Sequence, residues 1–474
     1  MTGPVPLTPV QRWFFEQDLA ERHHFNQAVM MRLAQPLAFE PLRESVRHLL
    51  RHHDALRLRF RQSESGWEQT CEPPDDEVPA SFVDLRDIPA AGLTSALERA
   101  VSEAHTSLDL ERGPLARVLL IECGDGTPGR LLVVAHHLVM DAVSWHILME
   151  DLQTAYAQIS SNQTPMLPAK TTSFKRWAGL LRQYAASEML QGEMPYWRAI
   201  AARQFSGIPL DYGGGNTVGS MRTVTAALEP EATSALLMKL ADGKHGYMEE
   251  VLLAALARAA AGIADEGDLL VDVERHGREE LFPSADLTRT AGWFTSIAPI
   301  CLALSRSAGA EETLGSVREE LRAMPTRGLG FGLLRYLSGG DEIAEALEPL
   351  TRATIAFNYL GQLGRMPLAA PDALIREGGL ARGARNLRRH LLEVNGFVTN
   401  GQFLADFHYS QNLHARATIE RLADGFAAAL REFAALAQAK PRKRTASDFK
   451  QARLSQRDFT KLMAKLASQG CQEQ

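Results

Sequence analysis

The chain is poor in cysteine, in net charge and in long apolar runs. Four cysteines, Cys71, Cys123, Cys301 and Cys471, are scattered through 474 residues with no CxxC pair. That spacing builds neither a disulfide framework nor a zinc knuckle, and it fits a reducing, cytoplasmic setting. Fifty-one Lys and Arg against 57 Asp and Glu leave a net charge of −6 and a pI near 6.2. No global basic field exists to hold nucleic acid or an anionic membrane. No run approaches the roughly 18 apolar residues of a membrane span. The opening MTGPVPLTPVQRWFFEQ lacks the basic and apolar regions of a signal peptide.

What is present is an ordinary globular balance, 45% hydrophobic and 23% charged. The length suggests two large domains or three smaller ones. Helical periodicity is expected at 38–55, 91–108, 143–158, 173–186, 191–203, 230–242, 248–263 and 416–438. Strands are expected at 56–60, 221–227, 268–277, 297–304, 352–360 and 395–409. Two β-branched-rich runs, 114–123 and 130–139, flank the turn GDGT and read as an antiparallel pair at the centre of a sheet. The polar stretch 160–172 is the first linker candidate. It divides an N-terminal unit, 1–170, from a second, 171–439. Residues 440–474, basic at first, read as a tail.

The sharpest motif is His136-His137-Leu-Val-Met-Asp141-Ala-Val-Ser144-Trp145. Adjacent side chains on a strand point to opposite faces, so one histidine can enter the core while the other faces a cleft. No further ligand stands at metal-binding spacing, so no metal is expected. LLVVAHHLV (131–139) is weakly echoed by LLVDVERHG (269–277), a hint of two related lobes, each presenting a strand end to a shared cleft.

HHxxxDxxSW resembles the signature of the condensation-domain superfamily of nonribosomal peptide synthetases. LTPVQRWFFEQ (7–17), HHFNQAV (23–29), VERHGREE (273–280), RTAGWFTSIAPICL (289–302), PTRGLGFG (325–332) and FNYLGQL (357–363) resemble, in order, motifs of its epimerization branch. The resemblance implies an α/β fold of two chloramphenicol-acetyltransferase-like lobes in a V-shaped pseudo-dimer, with the active site at the seam. It implies a monomer that inverts the α-carbon of an aminoacyl or peptidyl thioester on the 4'-phosphopantetheine arm of an upstream peptidyl carrier protein, with no cofactor of its own. The tail would meet a downstream condensation domain or synthetase subunit. Removing and returning an α-proton on opposite faces needs two titratable groups. The resemblance assigns those positions to His137 and Glu274. His136, Asp141, Arg278, Asn358 and Tyr359 would support them, with Asp141 pairing Arg278. Trp145 and Trp293 read as core, and Gly328, Gly330 and Gly332 as a flexible loop.

Three residues depart from the branch's pattern. Arg275 replaces a glycine, where a cation would lower the Glu274 pKa or crowd the pocket. Ala142 replaces another glycine, and Ala298 stands where an aromatic is frequent. A peptide-bond-forming condensation domain, an inactive domain of the same fold and a coenzyme-A acyltransferase are the other readings.

Overall fold

The computed structural model describes residues 1–439 apart from 125, 242–245, 363–368 and 375–380. The expected tail, 440–474, lies outside the described residues. The fold is mixed α/β, built on two large sheets.

In the first half the principal elements are α1 (Pro9–Glu16), β1 (Asn26–Leu33), α2 (Phe39–His52), β2 (Ala80–Leu85), α3 (Ala90–Thr106), β3 (Ala116–Cys123), β4 (Arg130–His136) and α4 (Ala142–Ser160). In the second they are β5 (Met221–Ala227), α5 (Tyr247–Ala261), β6 (Gly267–Arg275), β7 (Ser296–Leu304), α6 (Leu329–Tyr336), β8 (Ile355–Gln362), β9 (Ala369–Leu374), β10 (Leu392–Thr399), β11 (Gln402–Ser410) and α7 (Arg416–Ala439). The first sheet runs β9-β1-β4-β3-β2. The second runs β7-β6-β8-β10-β11-β5, with the short strand Phe205–Ser206 beside β6. Strand β9 therefore crosses back to pair antiparallel with β1, and the first sheet draws on residues from both sides of the expected boundary at 170.

The continuous apolar run of β4 follows from burial on both faces. Leu131, Val133 and Ala135 pack under α2 and α4 with Val46 and Leu148. Leu132 and Val134 pack under α3 with Leu97 and Val101. The same alternation carries Gln27 of β1 onto the face of Val29 and Met31, under α4. In the second half one core joins Val271, Val394 and Phe407 of the sheet to Leu252 of α5 and Phe426 of α7.

Several elements differ from expectation. The strand expected at 130–139 stops at His136, because residues 137–139 turn into one 3₁₀ turn. The strand expected over 395–409 is two strands, β10 and β11, joined at Asn400 and Gly401 with φ of 49° and 76°. That is the Asn-Gly signal for a tight hairpin. Residues 329–336 are helix, not a flexible loop. Gly330 packs so closely that a Cβ there would lie 1.9 Å from the Glu193 carboxylate.

Past the end of β6 the chain bends at Gly277, with φ +65° and the Phe294 carbonyl 1.7 Å from where a Cβ would stand. Only glycine meets both conditions. Gly277→Ala is expected to cost at least about 1–3 kcal/mol of stability, seen as a lower denaturant midpoint. An unchanged midpoint would contradict this packing.

Candidate active site

His136 and His137 leave β4 toward opposite sides, as the strand's alternation requires. His136 is fully buried. Its Nε2–H donates to the Arg22 carbonyl at 2.9 Å, while Nδ1 accepts from the Leu138 N–H at 3.2 Å. Burial holds its pKa down to about 3, so it stays neutral. It packs edge-on against Phe14 and fixes the turn.

His137 faces the cleft, half-buried. Its Nδ1 lies 2.7 Å from the Met140 carbonyl, which can only accept, so Nδ1 carries the hydrogen. Its Nε2 lies 2.9 Å from the Gln27 amide nitrogen. The Trp293 ring stands 4.3 Å from the imidazole, centroid to centroid. Burial holds the His137 pKa down to about 4.

Asp141 lines the larger cavity, but both of its carboxylate oxygens are engaged by structural partners. Its Oδ1 caps α4 by accepting the Ser144 N–H at 2.7 Å. Its Oδ2 accepts the Phe294 N–H at 3.1 Å. Arg278 reaches both oxygens, at 3.2 and 3.3 Å, and also donates to the Leu287 and Thr290 carbonyls at 2.8 Å. Its guanidinium lies 4.0 Å over the Phe294 ring. One carboxylate thus ties the first half of the chain to the segment 278–294 of the second. Ala142 begins α4 and is not among the residues with positive φ.

Glu274 sits one residue before the end of β6, in register with Asn358 of β8, which pairs in turn with Asn395 of β10. Asn358 Nδ2 donates to Glu274 Oε2 at 3.2 Å. Burial pushes the Glu274 carboxyl above the ordinary range. The expectation that Arg275 lowers it is overturned. Neighbouring strand residues face opposite ways, and the Arg275 guanidinium pairs with Glu249 at 2.7 Å and donates to the Arg327 carbonyl at 3.1 Å. Arg275 lines the wall of the pocket instead.

Two cavities meet at this pair. The larger, about 400 Å³, is lined by His137, Glu274, Asn358, Tyr359 and Arg275 among others. The smaller, about 330 Å³, is also lined by His137, Glu274 and Asn358, together with Arg382 and His408. Gln27 lines both. His137 comes from one sheet and Glu274 from the other, so the site lies at the seam. Burial raises the Tyr359 pKa, which keeps its hydroxyl protonated.

A family model for the condensation domain matches residues 1–455. The chain belongs to the condensation-domain family. This condensation-family chain is 42% and 41% identical to two linear gramicidin synthase proteins of Brevibacillus parabrevis, over 98% of its own length in each case. It spans only 9% and 6% of those two proteins. Among solved structures it resembles the epimerization domain from the third module of tyrocidine synthetase B, with TM-score 0.84, 32% identity, 93% of this chain and 99% of that one. The condensation domain of the Monacolin K polyketide synthase shares the fold, with TM-score 0.72 and 15% identity over 92% and 98% of the two chains. Among the described residues no helix is long and apolar enough to cross a membrane.

Gln27, Trp145 and Trp293 stand inside the sequence motifs, yet the motifs alone give them no place in the site. Trp145 Nε1 donates to Gln27 Oε1 at 2.7 Å, and Trp293 lies against His137. Period-two alternation from Val29 back to Gln27 is the signal in the sequence that points to it.

Asp141 and Arg278 are both almost fully buried, so removing one strands the other charge. Asp141→Asn and Arg278→Ala are each expected to cost up to about 3–5 kcal/mol. The double variant should lose less than the sum. Thermal unfolding of the four proteins checks this, and lost activity at unchanged stability would place Asp141 in the chemistry instead.

Proposed function

We propose that this chain inverts the α-carbon of an aminoacyl or peptidyl thioester carried on the phosphopantetheine arm of a peptidyl carrier protein. The observation that carries this reading is Glu274. A raised carboxyl lines the same two cavities as a neutral histidine and comes from the opposite sheet. Peptide-bond formation needs one group to orient an amine, whereas inversion needs one on each face of Cα. The likeness to an epimerization domain adds to it.

In this mechanism the His137 Nε2 takes the α-proton, and its C–H electron pair passes into the thioester as an enolate. Glu274 returns a proton to the opposite face and is left as a carboxylate, held by the Asn358 amide. The reverse reaction exchanges the two roles, and solvent resets both. Tyr359 supplies a hydroxyl donor in the larger cavity for the enolate oxygen. The domain needs no cofactor of its own, and the arm belongs to its substrate. The remaining partner is a downstream synthetase subunit, met through residues 440–474.

The test is the D/L ratio against time on a carrier protein loaded with a panel of L-aminoacyl and dipeptidyl arms. Glu274→Gln and His137→Ala should each slow inversion by about 10²–10⁴-fold while the loaded carrier still binds. Inversion at the parental rate by the Gln variant, or amide formation with a second loaded carrier, would favour a condensation domain.

The pH dependence follows from His137. A base must be neutral, and burial lowers its pKa from 6.5 to about 4. The rate of α-proton loss should therefore hold as pH falls through 6.5 and drop only as it approaches 4. A limb centred at 6.5 would contradict the base assignment.

A further inference from the structure

We infer that Gln27, anchored by Trp145, is the positioning residue that fixes His137 as a proton-free base at Nε2. This rests on the epimerase reading for its consequence but not for its geometry. An indole N–H can only donate. Trp145 Nε1, buried and 2.7 Å from Gln27, therefore makes the near Gln27 atom the amide oxygen. The other end of the amide is then NH₂, and it lies 2.9 Å from His137 Nε2. A donor facing Nε2 requires a lone pair there. The Met140 carbonyl, 2.7 Å from Nδ1, independently requires a hydrogen on Nδ1. Two unrelated partners thus select the same tautomer.

The arrangement also opposes charging. Protonation at Nε2 would set an N–H against the amide NH₂. The amide cannot flip to offer its oxygen without turning its NH₂ onto the Trp145 N–H. Other charged groups around His137 act in both directions. Asp141 on its own turn favours the imidazolium, and Arg382 opposes it across the smaller cavity, where its guanidinium covers the Phe25 ring at 4.7 Å. Glu274 shares both cavities, and His136 beside it is neutral. Gln27 is the polar side chain bonded to Nε2 itself, and it lines both cavities at their meeting point.

The test is an NMR titration of protein labelled at histidine Cε1, with the His137 signal assigned by its loss in His137→Asn. The parent should show the Nδ1–H tautomer and titrate near 4. Gln27→Leu removes the donor, and its His137 should titrate at least one pH unit higher. Gln27→Glu, whose carboxylate accepts, should move it higher still. Trp145→Phe, which frees the amide to flip, should move it in the same direction by less. α-Proton exchange in D₂O on carrier-bound arms should show its acid limb displaced alongside, with the plateau at least tenfold lower in Gln27→Leu. An unmoved His137 titration in folded Gln27→Leu and Trp145→Phe overturns the assignment. A displaced titration with no exchange by the parent on any arm would fault the epimerase reading alone.

Discussion

The Asp141 carboxylate holds this molecule together at the place where it matters. It starts α4, binds Arg278 and accepts the Phe294 N–H, all inside a buried seam. Ser144, in the first turn of α4, adds a bond to the Gly292 carbonyl at 2.9 Å. These contacts set β4 against β6, and the two strand ends bear His137 and Glu274. Burying two charges is costly unless hydrogen bonds surround them; Leu287, Thr290 and Ser144 give both terminal nitrogens of Arg278 partners beyond the carboxylate, and its Nε is left without one. A shift at Asp141 would move His137 and Glu274 together.

Around that clamp the site is arranged by burial. Desolvation drives the histidine and the carboxyl in opposite directions, the one to lose its proton and the other to keep it. Each is held by a side-chain amide, Gln27 on His137 and Asn358 on Glu274. Amides carry no charge, so they orient both groups without reversing what burial has done. The resting state is then a neutral imidazole and a carboxyl whose pKa is raised, both lining the same two cavities.

Much of this is legible in the sequence, because it rests on local rules. The apolar run of β4 ending in two histidines announces one inward and one outward ring. An aspartate ahead of a helix announces a cap. Motif order carries Glu274 and Arg278. What is not legible depends on distant contacts. The return of β9 to the first sheet has no local signature. Strand alternation gives Gln27 its face, but its bond to Trp145, 118 positions away, has no local signature. Arg275 stands next to Glu274 in the chain, yet strand alternation sends it to Glu249. The 395–409 segment reads as one strand because its apolar alternation outweighs the Asn-Gly pair that divides it.

That two groups flank one carbon is the core of the proposed epimerase chemistry. It is tested most directly by following deuterium during early turnover in D₂O, starting separately from L- and D-aminoacyl arms on a carrier protein. Two groups on opposite faces predict that each product enantiomer carries solvent deuterium while the unreacted starting enantiomer carries almost none. Equal deuterium in recovered substrate and product, or product that keeps the original proton, would mean a single group serving both faces and would contradict the account.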